Sequence, residues 1–127
     1  MIDEYVRAIE EAIGALENLT RGSVIYKEER EANFIFLRGE VKFADGSQLH
    51  FREFVQLKQG QSPNRYKYAY HYQRADETII LRYDNARHYL DLSTAPHHKH
   101  IGENDVIAAD APDLQFVLKE IEGMIKA

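Results

Sequence analysis

Hydrophobic and polar residues alternate with a period of two between residues 23 and 84. This period places successive side chains on opposite faces of a β-strand. The connections between the runs are short, and parallel neighbours would each need a crossover of about a dozen residues. The sequence therefore predicts a five-stranded antiparallel meander. The predicted strands are residues 23–30, 34–43, 48–57, 66–73 and 78–84.

Two segments with helical periodicity flank the predicted sheet. Apolar residues recur at three- and four-residue steps over residues 2–19 and again over residues 114–125. The second helix is predicted to start near Asp110, with Pro112 in its first turn. We therefore predict an α+β fold in a single domain, residues 1–127, with both helices packed on one face of the meander.

Alternation also divides the predicted sheet into an apolar face and a polar face. Helices on the apolar face leave the polar face open, and the polar face collects residues that can do chemistry. Glu53 breaks the pattern of the third strand, and we expect a β-bulge to move it to the polar face. The tyrosines of the fourth strand are predicted as core: Tyr66, Tyr68, Tyr70 and Tyr72. The predicted polar face contains Arg38, Glu40, His50, Arg52, His71, Arg82 and Asp84.

Four of the six histidines fall between residues 88 and 100. This segment follows the last predicted strand, has no clear period and contains Pro96 and Gly102. We therefore predict a loop that forms a lid or rim over the polar face. Asn85 is predicted to organise the turn that leads into this loop.

The composition restricts both chemistry and location. Cysteine is absent, which excludes disulfides, thiolate metal sites and cysteine nucleophiles. The net charge of −5 argues against a general nucleic-acid coat, although clustered histidine and arginine residues leave room for a local basic site. Neither a signal peptide nor a membrane span is predicted, so we expect a cytoplasmic protein.

Two motifs carry a family resemblance: Arg82-Tyr83-Asp84-Asn85-Ala86 and, about ten residues further on, Pro96-His97-His98-Lys99-His100. Together with the tyrosine-rich strand before them, they resemble the TumE-type toxin family of prokaryotic toxin–antitoxin modules. The chain differs from the family pattern at Arg87, where Pro is frequent, and at Tyr89, where His is common. The resemblance implies a toxin whose partner is a cognate antitoxin, typically with a DNA-binding domain. It leaves the chemistry open, because such toxins include ribonucleases, nucleotidyl-transferring enzymes and plain inhibitors.

The first hypothesis for the chemistry is metal-independent RNA cleavage, which needs no cofactor. The reaction requires a base for the 2′-hydroxyl, an acid for the leaving oxygen and cations around the transition state. Histidine can serve as acid and base near neutral pH, and arginine binds phosphate at two points. The predicted catalytic residues are Arg82, Asp84, His97, His98 and His100. The predicted binding residues are Arg52, His71, Asn85, His88 and Lys99, with Lys99 expected to hold phosphate beside Arg82.

The second hypothesis is a histidine-based metal-binding protein. His97 and His100 are three residues apart, and His88 or Asp84 can complete a ligand set for zinc or another transition metal. No HExxH or comparable signature accompanies these residues.

The third hypothesis is a non-enzymatic interaction or regulatory protein. A free edge at the first or fifth predicted strand suits strand addition by a partner. A homodimer is equally compatible with the sequence. Nucleotidyl transfer is disfavoured, because the chain has neither a Gly-Ser followed by a paired Asp-x-Asp nor a glycine-rich phosphate loop.

Overall fold

The computed structural model describes residues 2–127, which form a seven-stranded antiparallel sheet with a helix near each end of the chain. Every strand pairs with its neighbours in sequence, so the sheet is a meander with strand order β1 to β7. Short 3₁₀ turns precede and follow the first strand. The elements are α1 (Ile2–Gly14), β1 (Thr20–Glu29), β2 (Phe34–Phe43), β3 (Gln48–Gln56), β4 (Asn64–Gln73), β5 (Ile79–Asp84), β6 (His98–Ile101), β7 (Asp105–Ala108) and α2 (Leu114–Lys126).

The α+β meander with two helices is confirmed, but the predicted number of five strands is wrong. The two additional strands, β6 and β7, lie in the segment that was predicted to be a loop, and β6 pairs with β5. Each has only four residues, which is too short to establish a period. In β6, moreover, three of the four residues are polar, so alternation cannot separate its two faces.

The helices also differ in detail from the prediction. α1 ends at Gly14, five residues before the predicted end at residue 19, because glycine disfavours the helix interior. The chain then reaches β1 through a 3₁₀ turn. α2 begins at Leu114, and its N-cap is Asp113, whose carboxylate accepts a hydrogen bond from the Phe116 amide at 2.8 Å.

Both helices pack on the same face of the sheet. Ile9 and Ile13 of α1, together with Val117 and Ile121 of α2, belong to one buried cluster with the apolar residues of β2 to β5. This leaves the opposite face, which we call the open face, without a covering layer. The tyrosines Tyr68, Tyr70 and Tyr72 are part of the buried cluster, as predicted.

A β-bulge moves the fourth tyrosine, Tyr66, to the open face. Phe54 of β3 pairs with Lys67 and its neighbour Val55 pairs with Arg65, so Tyr66 is an extra residue in β4. The ring of Tyr66 packs against Phe34, with the ring centroids 5.5 Å apart. The prediction of Tyr66 as core is therefore wrong, because strict alternation does not take account of the bulge.

Glu53 remains on the core face, so the prediction that a bulge moves it is also wrong. The buried carboxylate accepts hydrogen bonds from the hydroxyls of Tyr5 in α1 and Tyr70 in β4. Burial, with the nearby carboxylate, raises the pKa of both tyrosines, so both hydroxyls stay protonated and donate. Arg65 donates to the Tyr70 hydroxyl at 2.6 Å. These partners offset the desolvation of a charge that would otherwise be costly to bury.

Candidate functional site

Cross-strand pairing assembles a row of four residues on the open face. His50 pairs with His71, His71 pairs with Arg82, and Arg82 pairs with His100, so the row crosses β3, β4, β5 and β6. We call these residues the histidine row. Neighbouring strands lie about 4.8 Å apart, so the two histidines beside Arg82 are about 10 Å from each other at the backbone.

A second row lies two residues along the strands from the first. Arg52 pairs with Ala69, Ala69 pairs with Asp84, and Asp84 pairs with His98. The small side chain of Ala69 leaves space between Arg52 and Asp84. Both rows therefore meet at β5, where Arg82 and Asp84 point to the same face two residues apart.

Asp84 is the centre of the site. It is 5% exposed, and its Oδ1 lies 3.0 Å from both the Ala86 amide and Nε2 of His98. Its Oδ2 lies 2.9 Å from Nε of Arg82 and 3.5 Å from Nε2 of His100. Burial acts to raise the pKa of Asp84, but the Ala86 amide, Arg82 and His98 together lower it below its ordinary value. The group is ionised at neutral pH. We call Arg82, Asp84, His98 and His100 the Asp84 cluster.

His98 is held on both sides of its ring. It is 1% exposed, with Nδ1 2.9 Å from the Pro96 carbonyl oxygen and Nε2 3.0 Å from Asp84. Both partners are acceptors, so each ring nitrogen of His98 faces an oxygen. The ring of Tyr89 covers His98 at a centroid distance of 4.8 Å and also touches His100. His98 therefore organises the cluster from within and does not face solvent.

The two accessible histidines beside Arg82 differ from His98 in their surroundings. Nδ1 of His71 lies 3.4 Å from a terminal nitrogen of Arg82, and its Nε2 lies 3.1 Å from Oε1 of Gln73. A neutral ring with its proton on Nε2 fits both contacts. Burial, followed by the charge of Arg82, lowers the pKa of His71. Burial also lowers the pKa of His100 and outweighs the attraction of Asp84.

Three of the predicted site residues lie apart from the Asp84 cluster. The ring of His97 stacks on Tyr68, and its Nδ1 is 3.0 Å from the Tyr68 hydroxyl, whose pKa burial raises to about 12. Lys99 points to the face that carries the helices, where its ammonium lies 2.7 Å from Glu120 of α2. His88 is exposed, with its ring edge against Tyr89. Residues 98–101 of the predicted lid thus form a strand of the sheet, in which His98 and His100 alternate with Lys99.

Asn85 connects the site to β4. Its Oδ1 accepts a hydrogen bond from the Tyr68 amide at 3.1 Å, and its Nδ2 donates to the Tyr66 carbonyl at 2.9 Å. The side chain therefore continues the pairing of β4 beyond the last residue of β5. It holds the backbone on both sides of Lys67, at the bulge that carries Tyr66.

Two hollows in the open face meet at Arg52, Ala69 and Arg82. The first, of about 600 Å³, follows the histidine row from His50 through His71 to Arg82. The second, of about 750 Å³, runs beside the Asp84 cluster. The lining of the second hollow includes Phe36, Phe54, Tyr66, Lys67, Arg87 and Pro96.

Several residues of this site were not selected from the sequence. Tyr66 required knowledge of the bulge, which the alternation does not reveal. Alternation alone places Lys67 opposite the tyrosines, but it was not selected as a site residue. Tyr89 was identified only as a difference from the family pattern, and nothing in its spacing indicated a contact with two histidines. His50 was predicted only as part of the polar face, because the register that aligns it with His71 depends on the loop between β3 and β4 and on the bulge.

The Asp84 cluster also offers a set of metal ligands. Asp84, His98 and His100 present ligand atoms that all lie within 4.8 Å of one another. A carboxylate with two imidazoles suits zinc or another first-row transition metal. Of the ligands considered from the sequence, His88 and His97 are not members of this group.

A family model described as toxin TumE matches residues 9–125 of the 127-residue chain. The chain belongs to the toxin TumE family, as the two motifs predicted. It is therefore the toxin of a toxin–antitoxin module, with an antitoxin as its partner. No curated protein sequence and no solved structure matches the chain. Within residues 2–127, no helix is long and apolar enough to cross a membrane.

Proposed function

We propose that this toxin cleaves RNA without a metal ion, at the histidine row beside the Asp84 cluster. The observation that carries the proposal is the position of Arg82 between His71 and His100 on adjacent strands. Asp84 accepts from Nε of Arg82, which leaves part of the guanidinium directed to the open face. A phosphate bound to Arg82 has a histidine on either side, which suits a reaction that needs one base and one acid.

The proposed reaction begins with His71, which is neutral because its pKa is lowered. His71 removes the proton of the 2′-hydroxyl, and the 2′-oxygen forms a bond to phosphorus. The bond between phosphorus and the 5′-oxygen breaks, and His100 delivers a proton to that oxygen. The products are a 2′,3′-cyclic phosphate and a 5′-hydroxyl. Arg82 stabilises the charge that develops on the phosphate oxygens.

His100 has to be protonated to act as the acid. Burial lowers its pKa in the free protein, but a bound phosphate adds negative charge next to the ring and favours the charged form. The Asp84 carboxylate, 3.5 Å from Nε2, acts in the same direction. Asp84 and His98 are positioning residues in this scheme, and the scheme gives no role to His97, His88 or Lys99.

The charges around the second hollow support an anionic substrate. The chain has a net charge of −5, yet Arg52, Lys67 and Arg87 line this hollow. Among residues 2–127 none of these three side chains forms an ion pair with a carboxylate. Phosphates on both sides of the scissile bond can therefore find cations without breaking existing pairs.

Induced expression of variants tests the proposal. Wild type, Arg82→Ala and His100→Ala are compared with His97→Ala as the matched histidine control, and growth and total RNA are followed. We expect growth arrest with fragmented RNA for wild type and for His97→Ala, and neither effect for the other two. Growth arrest with intact RNA would refute RNA cleavage and leave the toxin assignment in place.

A second candidate function is binding of a transition metal by Asp84, His98 and His100. The specific observation is that their ligand atoms all lie within 4.8 Å of one another. In addition, Nδ1 of His98 contacts the Pro96 carbonyl. A contact of this kind orients a metal-bound imidazole. Metal analysis of protein prepared without a histidine tag separates the candidates. A stoichiometric ion that is lost in His100→Ala and retained in His97→Ala supports a metal site, and metal-free protein that cleaves RNA refutes it.

We propose that the antitoxin carries a DNA-binding domain. We also propose that the toxin acts in the cytoplasm, where it would meet its RNA substrate. The edge strands β1 and β7 each pair on one side only, so either can accept a strand from the antitoxin or from a second copy of the chain. An inhibitory interaction without catalysis, through such an edge, is the alternative. Light scattering of the purified toxin tests the homodimer: a mass near 14.8 kDa indicates a monomer.

A further inference from the structure

We infer that the second hollow binds an unpaired base of single-stranded RNA on an aromatic platform. The platform consists of Phe54 and Tyr66, which line the hollow, and of Phe34, against which both rings pack. The inference rests on the proposed RNA cleavage, for which it names the substrate class and the position of one nucleotide. It adds a binding site beside the Asp84 cluster to the phosphate site at Arg82.

The three rings of the platform pack against one another on the open face, with Phe34 and Phe54 half-buried. Phe34 and Phe54 stack with their centroids 5.0 Å apart and their planes 14° apart, and Tyr66 packs against Phe34 at 5.5 Å. Tyr66 is 47% exposed. Contiguous apolar patches on a protein surface mark interaction sites or ligand-binding grooves.

Two features of the chain hold Tyr66 in this position. The bulge in β4 turns its side chain away from the buried tyrosines, and Asn85 fixes its carbonyl at 2.9 Å. Asn85 follows directly after Asp84, so one short segment positions both the reactive cluster and the platform.

The hollow connects the platform to the reactive end of the site. Phe54 and Tyr66 line one end, while Arg82 and Asp84 line the other, and the cations of Arg52 and Lys67 also belong to its wall. A nucleotide in the hollow can therefore stack its base on the rings while its phosphate approaches Arg82. Stacking of bases on aromatic side chains combined with cations along the backbone is how proteins bind single strands.

A single strand fits this arrangement and a duplex does not. In an A-form duplex the faces of the bases are occupied by their neighbours, and the major groove is too deep and narrow for side chains to enter. A base can cover a protein ring only when it has left the stack. An apolar protein segment could cover the rings as well, but it would leave the cations of Arg52, Lys67 and Arg87 without partners, which favours a polyanion.

Fluorescence anisotropy with a labelled oligouridine of about a dozen nucleotides tests the inference. The oligonucleotide carries 2′-O-methyl groups, so it cannot be cleaved and binding is measured on wild type. We expect Tyr66→Ala to weaken binding by roughly 5- to 150-fold, the range for removal of one stacked base. Tyr66→Phe keeps the ring and is expected to bind like wild type.

The matched control is Tyr26→Ala. Tyr26 is 53% exposed and lies on the open face over the Arg38 guanidinium, but it lines the first hollow and not the platform. We expect this variant to bind the single strand like wild type. A duplex of the same length is expected to bind more weakly, with no change in Tyr66→Ala.

A second measurement needs no variant. An oligouridine with one 2-aminopurine reports stacking directly, because stacking on an aromatic ring quenches the fluorescence of that base. A series of oligonucleotides carries the 2-aminopurine at successive positions of the strand. At a saturating concentration of wild-type protein, we expect its fluorescence to be quenched at one of these positions. Bound oligonucleotide without quenching at any position would overturn the platform, even if Tyr66→Ala does not fold.

The outcomes separate this inference from the proposed cleavage. Wild-type binding that depends on Tyr66, without cleavage of unmodified RNA, supports the platform and refutes the reaction. Cleavage with equal single-strand affinity in wild type and Tyr66→Ala refutes the platform alone. If Tyr66→Ala loses antitoxin binding while RNA binding is unchanged, the rings form a protein-binding surface and the inference is wrong. Failure of wild type to bind single-stranded RNA refutes both.

Discussion

Replacing Asp84 with asparagine removes one of the two acceptor oxygens at the centre of the site. Oδ1 accepts from the Ala86 amide and from His98, and Oδ2 accepts from Arg82. An asparagine side chain retains one oxygen and places a donor NH₂ group in the position of the other. In either orientation, at least one of these donors then faces another donor.

The cost follows from the burial of the partners. A buried donor without an acceptor costs about 1–3 kcal/mol, and breaking a buried ion pair costs about 3–5 kcal/mol. The side chain of Arg82 is 29% exposed and can be solvated by water. The side chain of His98 is 1% exposed, so its Nε2 keeps a partner only by accepting from the new NH₂ group. We therefore expect the free energy of unfolding to fall by about 2–3 kcal/mol. This value lies at or just below the lower end of the range for a broken buried ion pair. For a domain of this size this lowers the Tm by roughly 6–15 °C.

Urea unfolding at pH 7, followed by circular dichroism, measures this difference, with Asp91→Asn as the control. Asp91 is exposed, so its replacement is expected to change the stability by less than about 0.5 kcal/mol. RNA cleavage by Asp84→Asn is expected to fall by about 10²-fold or more, because Arg82 and His100 both lose their orienting charge. If Asp84→Asn were as stable as Asp91→Asn, the three donors would not converge on this carboxylate in solution.

Three further predictions concern pH, packing and the unused lysine. His71 and His100 have pKa values below the ordinary value of 6.5, so the unfolded chain binds more protons just below that pH and the Tm is expected to fall on acidification from pH 7. A His71→Gln, His100→Gln double variant should show a smaller fall, and an unchanged pH dependence would contradict the burial of these rings. Gly39→Ala places a methyl group against the ring of Phe51 and is expected to destabilise by about 1–3 kcal/mol in the same urea assay, whereas equal stability would contradict this packing. Lys99→Ala is expected to lower the Tm but to leave RNA cleavage unchanged, and a loss of cleavage at unaltered fold would place Lys99 in the substrate site.

The sheet could be predicted as far as hydrophobic alternation extends. In β2 to β5 each strand is long enough for a period of two to be visible, and the face assignments of Arg52, His71, Arg82 and Asp84 follow from it. β6 and β7 have four residues each, and β6 is polar on both faces. β6 is positioned by pairing with β5, and β7 by pairing with β6. The pairing of β5 with β6 is a long-range property that no local pattern contains.

Long-range pairing also explains why the sequence could not show which histidines contact Asp84. His97 and His98 are neighbours in the chain, but the start of β6 directs one towards Tyr68 and the other towards Asp84. The three-residue spacing of His97 and His100 made them the predicted metal-ligand pair, whereas an extended strand places His98 and His100 on the same face. The contact of Asp84 with His98 is set by the register of β5 and β6.

The departures from alternation at Tyr66 and Glu53 have different causes. Tyr66 changes face because one residue is inserted in β4, and its neighbours Lys67 and Arg65 then lie on opposite sides of the sheet. Glu53 keeps its regular position in β3 and is tolerated in the core because two tyrosine hydroxyls donate to it. A buried charge with such partners cannot be recognised from one strand, since the partners come from α1 and β4.

The chemical ends of the RNA fragments test the central claim most directly. Purified toxin without a histidine tag is incubated with RNA in buffer that contains EDTA, and the termini of the products are determined. RNA cleavage at the histidine row predicts 2′,3′-cyclic phosphate and 5′-hydroxyl ends, which EDTA does not affect and which are absent with Arg82→Ala and with His100→Ala. Fragments with 5′-phosphate ends that disappear in EDTA, or RNA that stays intact with a toxin that arrests growth, would contradict it.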